Sequence, residues 1–537
     1  MTAQDDRERA RLVQAGADDL ALTAGPPAGQ PAGTPERSAA ATQIRGSSIL
    51  LLGRVLSMVI NFGVLAMITR YLDKSAFGAF AYALSLVSLG ESIVTFGLDR
   101  AVTRFVPIYE EQGAYNKLFG TLVMVTTTIV GLGLSLCLLV FGLRGWLAGS
   151  VIDDPQAVTL LVILIVLAPL HALDDLMMGM FAVFAQARAI FFRRHVLGPG
   201  FRLAVVLLLV LGESGVTFLA AGYVAAGVVG AALYVGMLFR LLRRRGLLAR
   251  FDVRALDFPF REVLSFTVPL LTSDLVYSVM NTSDAILLER FSGTAEVAAF
   301  RAVQPAARLN QVVFTGFTLL FTPLAARLFA RDDREGINDL YWKTAIWLAV
   351  FSFPVFSLTT SLAHPITVTL YGERYESSAV ILALLSLGYY FNAALGFNGL
   401  TLKVYGALRY IVTLNLAAAV LNIVLNLLLI PSYGALGAAV GTSVTLVAHN
   451  VFKQIGLRRG TGISLFERRY APVYCAIVVA ALALWLVQTL AEPPVAVGVA
   501  LAAVASIAVL RVGRSQLDVA EVFPEVLRLP VIGRLLR

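Results

Sequence analysis

Residues 49–71 read ILLLGRVLSMVINFGVLAMITRY, an apolar run long enough to cross the hydrocarbon core of a bilayer as one helix. Similar runs follow one another along almost the whole chain of 537 residues, and together they predict about fourteen membrane-spanning helices. Of all residues 58% are hydrophobic and only 14% are charged, which leaves too little polar surface for a water-soluble protein of this size. The sequence therefore predicts an all-α polytopic membrane protein.

Composition divides the chain into six regions. Residues 1–45 are rich in Ala, Gly, Pro, Asp and Arg and contain no apolar run, which predicts a disordered cytoplasmic tail. The other regions are a six-span segment at 46–245, a basic cytoplasmic linker at 246–262, a second six-span segment at 263–456, two extra spans at 457–512 and a cytoplasmic tail at 513–537. Two interpretations of the linker remain open: it lies on the anionic inner leaflet, or it is a solvated connection.

The distribution of basic residues predicts the orientation. With the N-terminus inside, the inner loops hold most of the Lys and Arg residues, including Arg243, Arg244 and Arg245. Both termini are therefore expected in the cytoplasm of a cell-membrane protein. The same rule explains the net charge of +9, so no nucleic-acid partner is expected. Cys137 and Cys475 lie within apolar segments without metal-ligand spacing, so neither a metal nor another cofactor is expected.

The two halves of the chain repeat each other at an offset of about 220 residues. Arg70-Tyr71-Leu72 followed by Phe77 to Phe80 matches Arg290-Phe291-Ser292 followed by Val297 to Phe300. Six spans separate equivalent helices, and because six is even both halves have the same orientation in the membrane. The repeat thus predicts an axis along the membrane normal, with a central cavity lined by both halves.

Polar residues recur at helical spacing on one face of several spans. The sets are Arg54, Ser57 and Asn61; Ser85, Ser88, Ser92, Thr95 and Asp99, with Glu91 beside them; Asp274, Ser278 and Asn281, with Asp284 near; and Gln304, Arg308, Gln311 and Thr315, with Arg301 one turn away. Because a charged side chain facing lipid is costly, we expect the charged members to face the cavity. The repeat places Arg54 and Asp274 at equivalent positions, where they could pair across it.

Guanidinium groups in such a cavity favour an anionic ligand, since they bind phosphate through two parallel hydrogen bonds and stay charged when desolvated. The predicted substrate-binding residues are Arg54, Asn61, Asn281, Arg301, Gln304, Arg308 and Gln311, and the candidates for ion coupling or charge pairing are Glu91, Asp174, Asp274 and Asp284. The Ser and Thr stripes are better explained as contacts between helices. For Arg301 and Asp284, an alternative that stays open is a position near the outer surface with the side chain reaching the interface.

With these residues in place, the chain resembles the multidrug/oligosaccharidyl-lipid/polysaccharide (MOP) exporter superfamily, and within it the polysaccharide-biosynthesis and O-antigen-type flippases. The likeness is carried by Thr69-Arg70-Tyr71-Leu72 leading to Phe77-Gly78-Ala79-Phe80; by Phe96-Gly97-Leu98-Asp99-Arg100-Ala101; by Leu370-Tyr371-Gly372-Glu373-Arg374-Tyr375; and by Leu421-Asn422-Ile423-Val424-Leu425-Asn426 with Ile430-Pro431 and Gly434 to Ala439. The resemblance implies two six-helix bundles forming a V around a central cavity, plus two C-terminal helices, and transport by alternating access.

The resemblance also implies a cargo. It would be an oligosaccharide on polyprenyl diphosphate, moved from the cytoplasmic to the external leaflet for cell-surface polysaccharide biosynthesis. The expected partners are this substrate, membrane lipids and a coupling ion, H⁺ or Na⁺, and the expected state is a monomer. The alternative within the superfamily is a MATE-like ion-coupled exporter of drugs or small organic cations. An enzyme is not expected, because the sequence holds no phosphate-binding loop, nucleophile elbow or zinc motif.

Overall fold

The computed structural model describes residues 34–517, and their side chains from residue 53 onward apart from residues 269, 270, 272, 273, 319 and 320. This part of the chain is helical nearly throughout and contains no β-strand. The membrane-length segments are α1 Thr34–Tyr71, α2 Lys74–Glu111, α3 Tyr115–Gly142, α4 Pro155–Val183, α5 Ala187–Leu211, α6 Val216–Arg244, α7 Phe260–Ser292, α8 Thr294–Thr318 with Phe321–Ala330, α9 Arg334–Ser361, α10 Ser378–Val404, α11 at 408–433, α12 at 435–461, α13 Arg468–Ala491 and α14 Val495–Leu517.

Eleven helices of the described chain are apolar and long enough to cross a membrane, or twelve if the bent α8 counts as one span. One of the eleven, Leu408–Thr461, holds two spans. Its 54 residues would extend about 81 Å if straight, far beyond a hydrocarbon core of about 30 Å. Non-helical backbone at Gly434 (φ 53°, ψ −133°) divides it into α11 and α12. With α7, which has 33 residues but is more polar, the helices fit the fourteen predicted spans.

The second span of each half is broken at an equivalent place. In α2 the backbone turns left-handed at Phe96 and Gly97 (φ 51° and 68°), and in α8 the axis bends by 47° between Thr318 and Phe321. These breaks are separated by roughly the offset of the internal repeat. The structure therefore contains the duplication at the level of helix shape as well as of sequence.

The boundary of the N-terminal tail differs in part from the expectation. Helix α1 begins at Thr34, so the segment 34–45 is helical. Residues 1–33 and the end of the C-terminal tail, 518–537, lie outside the described part of the chain. The basic linker packs on the start of α3, with the rings of Phe251 and Phe119 5.0 Å apart and the Arg250 guanidinium 4.2 Å from the Tyr115 ring centroid.

At one end of the bundle, called here the Arg70 end, arginines join the two halves. Arg70 Nε donates to the carbonyl of Leu370 (3.3 Å), and Arg290 Nη1 donates to Asp153 Oδ2 (2.9 Å). Arg70 and Arg290 are equivalent in the repeat, so the two contacts are related by pseudo-symmetry.

Helices α2 and α8 also meet closely at the Arg70 end. A Cβ atom at Gly78 would lie 1.8 Å from the carbonyl oxygen of Thr294, so only glycine fits at this position. The halves are therefore joined at the Arg70 end by direct backbone packing in addition to the arginines.

At the opposite end, called here the Arg100 end, the halves meet through α2 and α7. Arg100 Nη2 lies 2.8 Å from Asp274 Oδ1 in a half-exposed salt bridge. Farther from the centre, the Tyr109 hydroxyl donates to Glu262 Oε2 at 2.7 Å. The space between the halves is thus bounded by inter-half contacts at both ends.

Candidate functional site

A cavity of about 590 Å³ lies between the two halves, lined by residues of α1, α2, α4, α5, α6, α7 and α8. Seven of the residues proposed from the sequence line it: Asn61, Glu91, Asp174, Asn281, Arg301, Gln304 and Arg308. Helical periodicity explains the position of Asn61, Asn281, Gln304 and Arg308, because each lies on the polar stripe of its span. For Arg301, the alternative position at the outer surface is thereby set aside.

The expected pairing of Arg54 with Asp274 was wrong. Asp274 forms its salt bridge with Arg100 of α2, and the side chain of Arg54 is exposed outside the cavity lining. Near Arg54, α1 packs on α5, where Ser57 Oγ lies 3.0 Å from His195 Nδ1. The two positions are equivalent in the repeat but have different neighbours. Asp274 lies where α7 packs against α2, whereas Arg54 lies where α1 packs against α5.

Two further residues lie outside the cavity lining. Gln311 follows Arg308 in a 3₁₀ turn, Leu309–Gln311, and the tighter turn rotates it away from the stripe that a continuous α-helix would have formed. Asp284 is 2% exposed and faces α11 and α12. It accepts hydrogen bonds from Asn426 Nδ2 at 2.5 Å and Thr442 Oγ1 at 3.3 Å.

The wall formed by the C-terminal half carries two arginines of α8, Arg301 and Arg308. Each donates a hydrogen bond to Asn281 of α7. Arg301 donates to the carbonyl of Asn281 (2.9 Å) and to Gln304 Oε1 (2.8 Å). Arg308 donates to Asn281 Oδ1 (3.0 Å) and to the Tyr389 hydroxyl (3.1 Å). Within the described residues neither arginine forms a salt bridge with a carboxylate, and Arg301 Nε has no hydrogen-bond partner. Their positive charges therefore remain available to an anion in the cavity.

The opposite wall contains two arginines, Arg193 and Arg202, that were not among the residues proposed from the sequence. Arg193 lies on a π-helical segment of α5, Phe191–Leu197, and donates to Asp174 Oδ2. Its guanidinium packs over the Tyr234 ring at 5.7 Å from the centroid. Arg202, nine residues nearer the Arg70 end on α5, lies 5.9 Å from the Tyr223 ring centroid. A charged residue inside an apolar run is the signal that would have identified both.

Arg193 is held in place by a small residue on α6. A Cβ atom at Gly230 would lie 2.5 Å from Arg193 Nη2, so glycine leaves the space that the guanidinium fills. The π-helical turn widens α5 at this point, a feature that recurs at functional sites. Local backbone and neighbouring helix together direct this arginine inward.

Acidic groups complete the N-terminal wall. Glu91 Oε2 lies 3.1 Å from His171 Nδ1, and Asp174 is paired with Arg193. The lining thus holds four arginines and two carboxylates, with Arg301 and Arg308 on the wall opposite both carboxylates. Such a cavity is suited to bind an anion, and guanidinium geometry favours phosphate.

Two solved structures have the same all-helical fold. The lipid II flippase MurJ, in its inward closed conformation, has the same fold: the match covers 88% of this chain and 99% of MurJ, with a TM-score of 0.68 at 14% identity. A multidrug resistance MATE transporter of the MOP superfamily, inward-facing, matches over 76% of this chain and 95% of its own, with a TM-score of 0.60 at 15% identity.

The family follows from the sequence match. The family of polysaccharide biosynthesis proteins matches residues 44–329, more than half of the chain, and the chain belongs to this family. The MatE family matches residues 269–428. The capsular polysaccharide biosynthesis protein CapF of Staphylococcus aureus is 22% identical over 187 residues, which is 35% of this chain and 47% of CapF. The chain is thus a multi-pass membrane protein of the polysaccharide biosynthesis family, with the fold of MurJ and of the MATE transporter.

Proposed function

We propose that this protein moves a polyprenyl-diphosphate-linked oligosaccharide from the cytoplasmic to the external leaflet for cell-surface polysaccharide biosynthesis. The observation that carries the proposal is the pair Arg301 and Arg308, two guanidinium groups with no carboxylate partner among the described residues, positioned together by Asn281. A diphosphate would complete their hydrogen bonding, and Gln304 and Asn61 provide neutral polar groups for sugar hydroxyls.

The two ends of the bundle support transport by alternating access. In the proposed orientation the Arg100 end faces the cytoplasm of a cell-membrane protein, both termini are cytoplasmic, and the protein acts as a monomer. Opening the Arg100 end requires breaking the half-exposed bridge between Arg100 and Asp274. Opening the Arg70 end requires separating the packed backbones at Gly78 and Thr294. The chemistry is transport without covalent change of the cargo, so no catalytic residue is proposed.

Asp284 is the best placed candidate for ion coupling by H⁺ or Na⁺. Its buried carboxylate lies among oxygen-bearing side chains of α11 and α12, and Asn426 Oδ1 beside it has no hydrogen-bond partner within the described residues. Oxygen atoms at such a point suit either a proton or a small monovalent cation. Glu91 with His171, and Asp174 with Arg193, remain second candidates because they line the cavity itself.

A MATE-like exporter of organic cations is the alternative, favoured by the acidic residues Glu91 and Asp174 in the lining. The four arginines of the same lining oppose it, because they repel a cationic cargo.

The test uses a strain depleted of this protein. We expect lipid-linked oligosaccharide to accumulate on the cytoplasmic leaflet and wild-type protein to clear it. Arg301→Ala and Arg308→Ala should not clear it at equal expression, whereas Arg54→Ala should, because Arg54 lies outside the cavity lining. Absence of accumulation together with lost resistance to cationic drugs would instead assign the exporter function.

A further inference from the structure

A second hollow lies on the outside of the bundle, between α5 and α6. Its volume is about 480 Å³, and all ten residues that line it are apolar. Its lining includes the small exposed residues Ala204, Ala221 and Ala225, together with Leu208 (59% exposed) and Val229 (49%). The groove therefore faces the hydrocarbon of the bilayer, and its apolar lining suits a chain of methyl and methylene groups.

The groove meets the central cavity at two residues. Phe201 of α5 and Ala226 of α6 line both hollows. Next to Phe201 in sequence, Arg202 lines the cavity. Among the described residues, only these two line both the apolar groove and the charged cavity. An apolar surface and a charged surface are therefore adjacent at this point.

The depth of the junction can be read from the helices. Phe201 precedes the end of α5 at Leu211 by ten residues, and Ala226 follows the start of α6 at Val216 by ten residues. Ten residues of α-helix rise about 15 Å, which is half of a hydrocarbon core of about 30 Å. The groove therefore spans the leaflet at the Arg70 end and reaches the cavity near the bilayer midplane.

We infer that this groove holds the hydrocarbon chain of the anionic lipid whose head group binds in the cavity. The inference rests on the proposed function, because it assumes a lipid-linked cargo. A chain attached to a diphosphate at the midplane cannot lie among four arginines, since burying apolar groups against charges leaves those charges without solvation. It must leave the cavity sideways, and at Phe201 and Ala226 the cavity is separated from an apolar groove open to lipid only by the side chains that line both hollows.

The location assigns a step to the groove. In the proposed orientation the Arg70 end is external, so a chain in this groove already lies in the external leaflet while its diphosphate is still in the cavity. The groove thus holds the cargo on its release side. A cargo chain in the cytoplasmic leaflet would enter by another route.

Site-specific photo-crosslinking in full-length protein tests the assignment. p-Benzoylphenylalanine is placed at position 225, in the groove, or at position 235, where Val235 is 54% exposed on the same helix but does not line the groove. The protein is reconstituted in vesicles with a trace of alkyne-tagged polyprenyl diphosphate or, in a parallel sample, of alkyne-tagged polyprenol. Binding of a water-soluble short-chain prenyl diphosphate is measured on the same preparations.

We expect the diphosphate probe to label position 225 about tenfold more than position 235, a preference of about 1.4 kcal/mol, and the polyprenol to label both equally. Equal labelling by the diphosphate probe, with short-chain binding intact, overturns the groove while leaving the flippase proposal in place. Preferential labelling at 225 by polyprenol as well overturns the link between groove and cavity. If wild type binds neither diphosphate, the proposed function fails and the groove assignment fails with it.

A blocking variant gives a second readout. Ala225→Trp fills the groove from a lipid-exposed position, and Val235→Trp is the matched control on the same helix. We expect Ala225→Trp to bind the short-chain diphosphate like wild type but to flip the long-chain lipid about tenfold more slowly, and Val235→Trp to do both normally. Unchanged flipping by a folded Ala225→Trp protein would contradict the assignment.

Discussion

Replacing Arg308 by alanine tests the anion-binding cavity most directly. The guanidinium donates to Asn281 Oδ1 at 3.0 Å and to the Tyr389 hydroxyl at 3.1 Å, which leaves further N–H groups for a phosphate. A hydrogen bond to a charged group contributes about 1.5–3 kcal/mol. Taking about 2 kcal/mol as the loss, we expect prenyl diphosphate to bind about 30-fold more weakly.

The stability of the protein should change little in this variant. Arg308 is accessible from the cavity and forms no salt bridge within the described residues, so its removal leaves Asn281 and Tyr389 next to water. We expect a loss of less than about 1 kcal/mol, as for one net hydrogen bond. Arg308→Lys keeps the charge but loses the planar fork, so its affinity should fall between those of wild type and alanine.

The assay is titration calorimetry of purified protein in nanodiscs with a water-soluble short-chain prenyl diphosphate, at two salt concentrations. Thermal unfolding of each variant provides the stability control, and Arg54→Ala provides the matched arginine outside the cavity lining. Affinity of Arg308→Ala equal to that of Arg54→Ala, with both proteins folded, would refute the assignment of Arg308 to the anion site. A 30-fold loss only in Arg308→Ala would support it.

Three further predictions follow from the inter-half contacts and from the buried carboxylate. Arg100→Asp should open the Arg100 end and raise cysteine labelling of cavity residues, and adding Asp274→Arg should restore closure. Because the salt bridge is half-exposed, we expect it to contribute at most about 1 kcal/mol to closure. Equal labelling of the single and double variants would exclude a gate at this bridge. Gly78→Ala should destabilise the folded protein by about 1–3 kcal/mol through overpacking, measured by thermal unfolding. The control is Gly63→Ala, where a Cβ meets no atom within 4 Å. Equal melting temperatures of the two variants would contradict the close approach of α2 and α8. Asp284→Asn should retain diphosphate binding but lose the dependence of vesicle transport on an imposed H⁺ or Na⁺ gradient, and an unchanged gradient dependence would remove Asp284 as the coupling site.

The sequence predicted the cavity residues where its assumption of a continuous helix was valid. Asn281, Arg301 and Arg308 lie on uninterrupted α-helical turns, and the polar stripe placed them correctly in the lining. Gln311 failed because the 3₁₀ turn after Arg308 changes the angle between successive side chains. Periodicity predicts a face only as far as the local backbone keeps 3.6 residues per turn.

Repeat symmetry predicted equivalent helices but not equivalent partners. Arg70 and Arg290 are related by the offset and make equivalent contacts across the halves. Arg54 and Asp274 are related in the same way and do not meet, because Asp274 pairs with Arg100. Symmetry relates positions along equivalent helices, whereas a side-chain contact depends on which helix is opposite, and that differs between the halves.

The sequence alone determined the membrane-spanning helices, the duplication and the presence of buried charge. These follow from the low solubility of charge in hydrocarbon and from the length of helix that a bilayer requires. Only the tertiary structure decided which charges share one cavity. In the sequence, Arg193 and Arg202 interrupt an apolar run. The π-helical segment directs Arg193 toward the cavity, and Gly230 leaves the space for its guanidinium. The packing of α5 against α6 likewise created the apolar groove, since a hollow between helices depends on their separation and not on the pattern of either one.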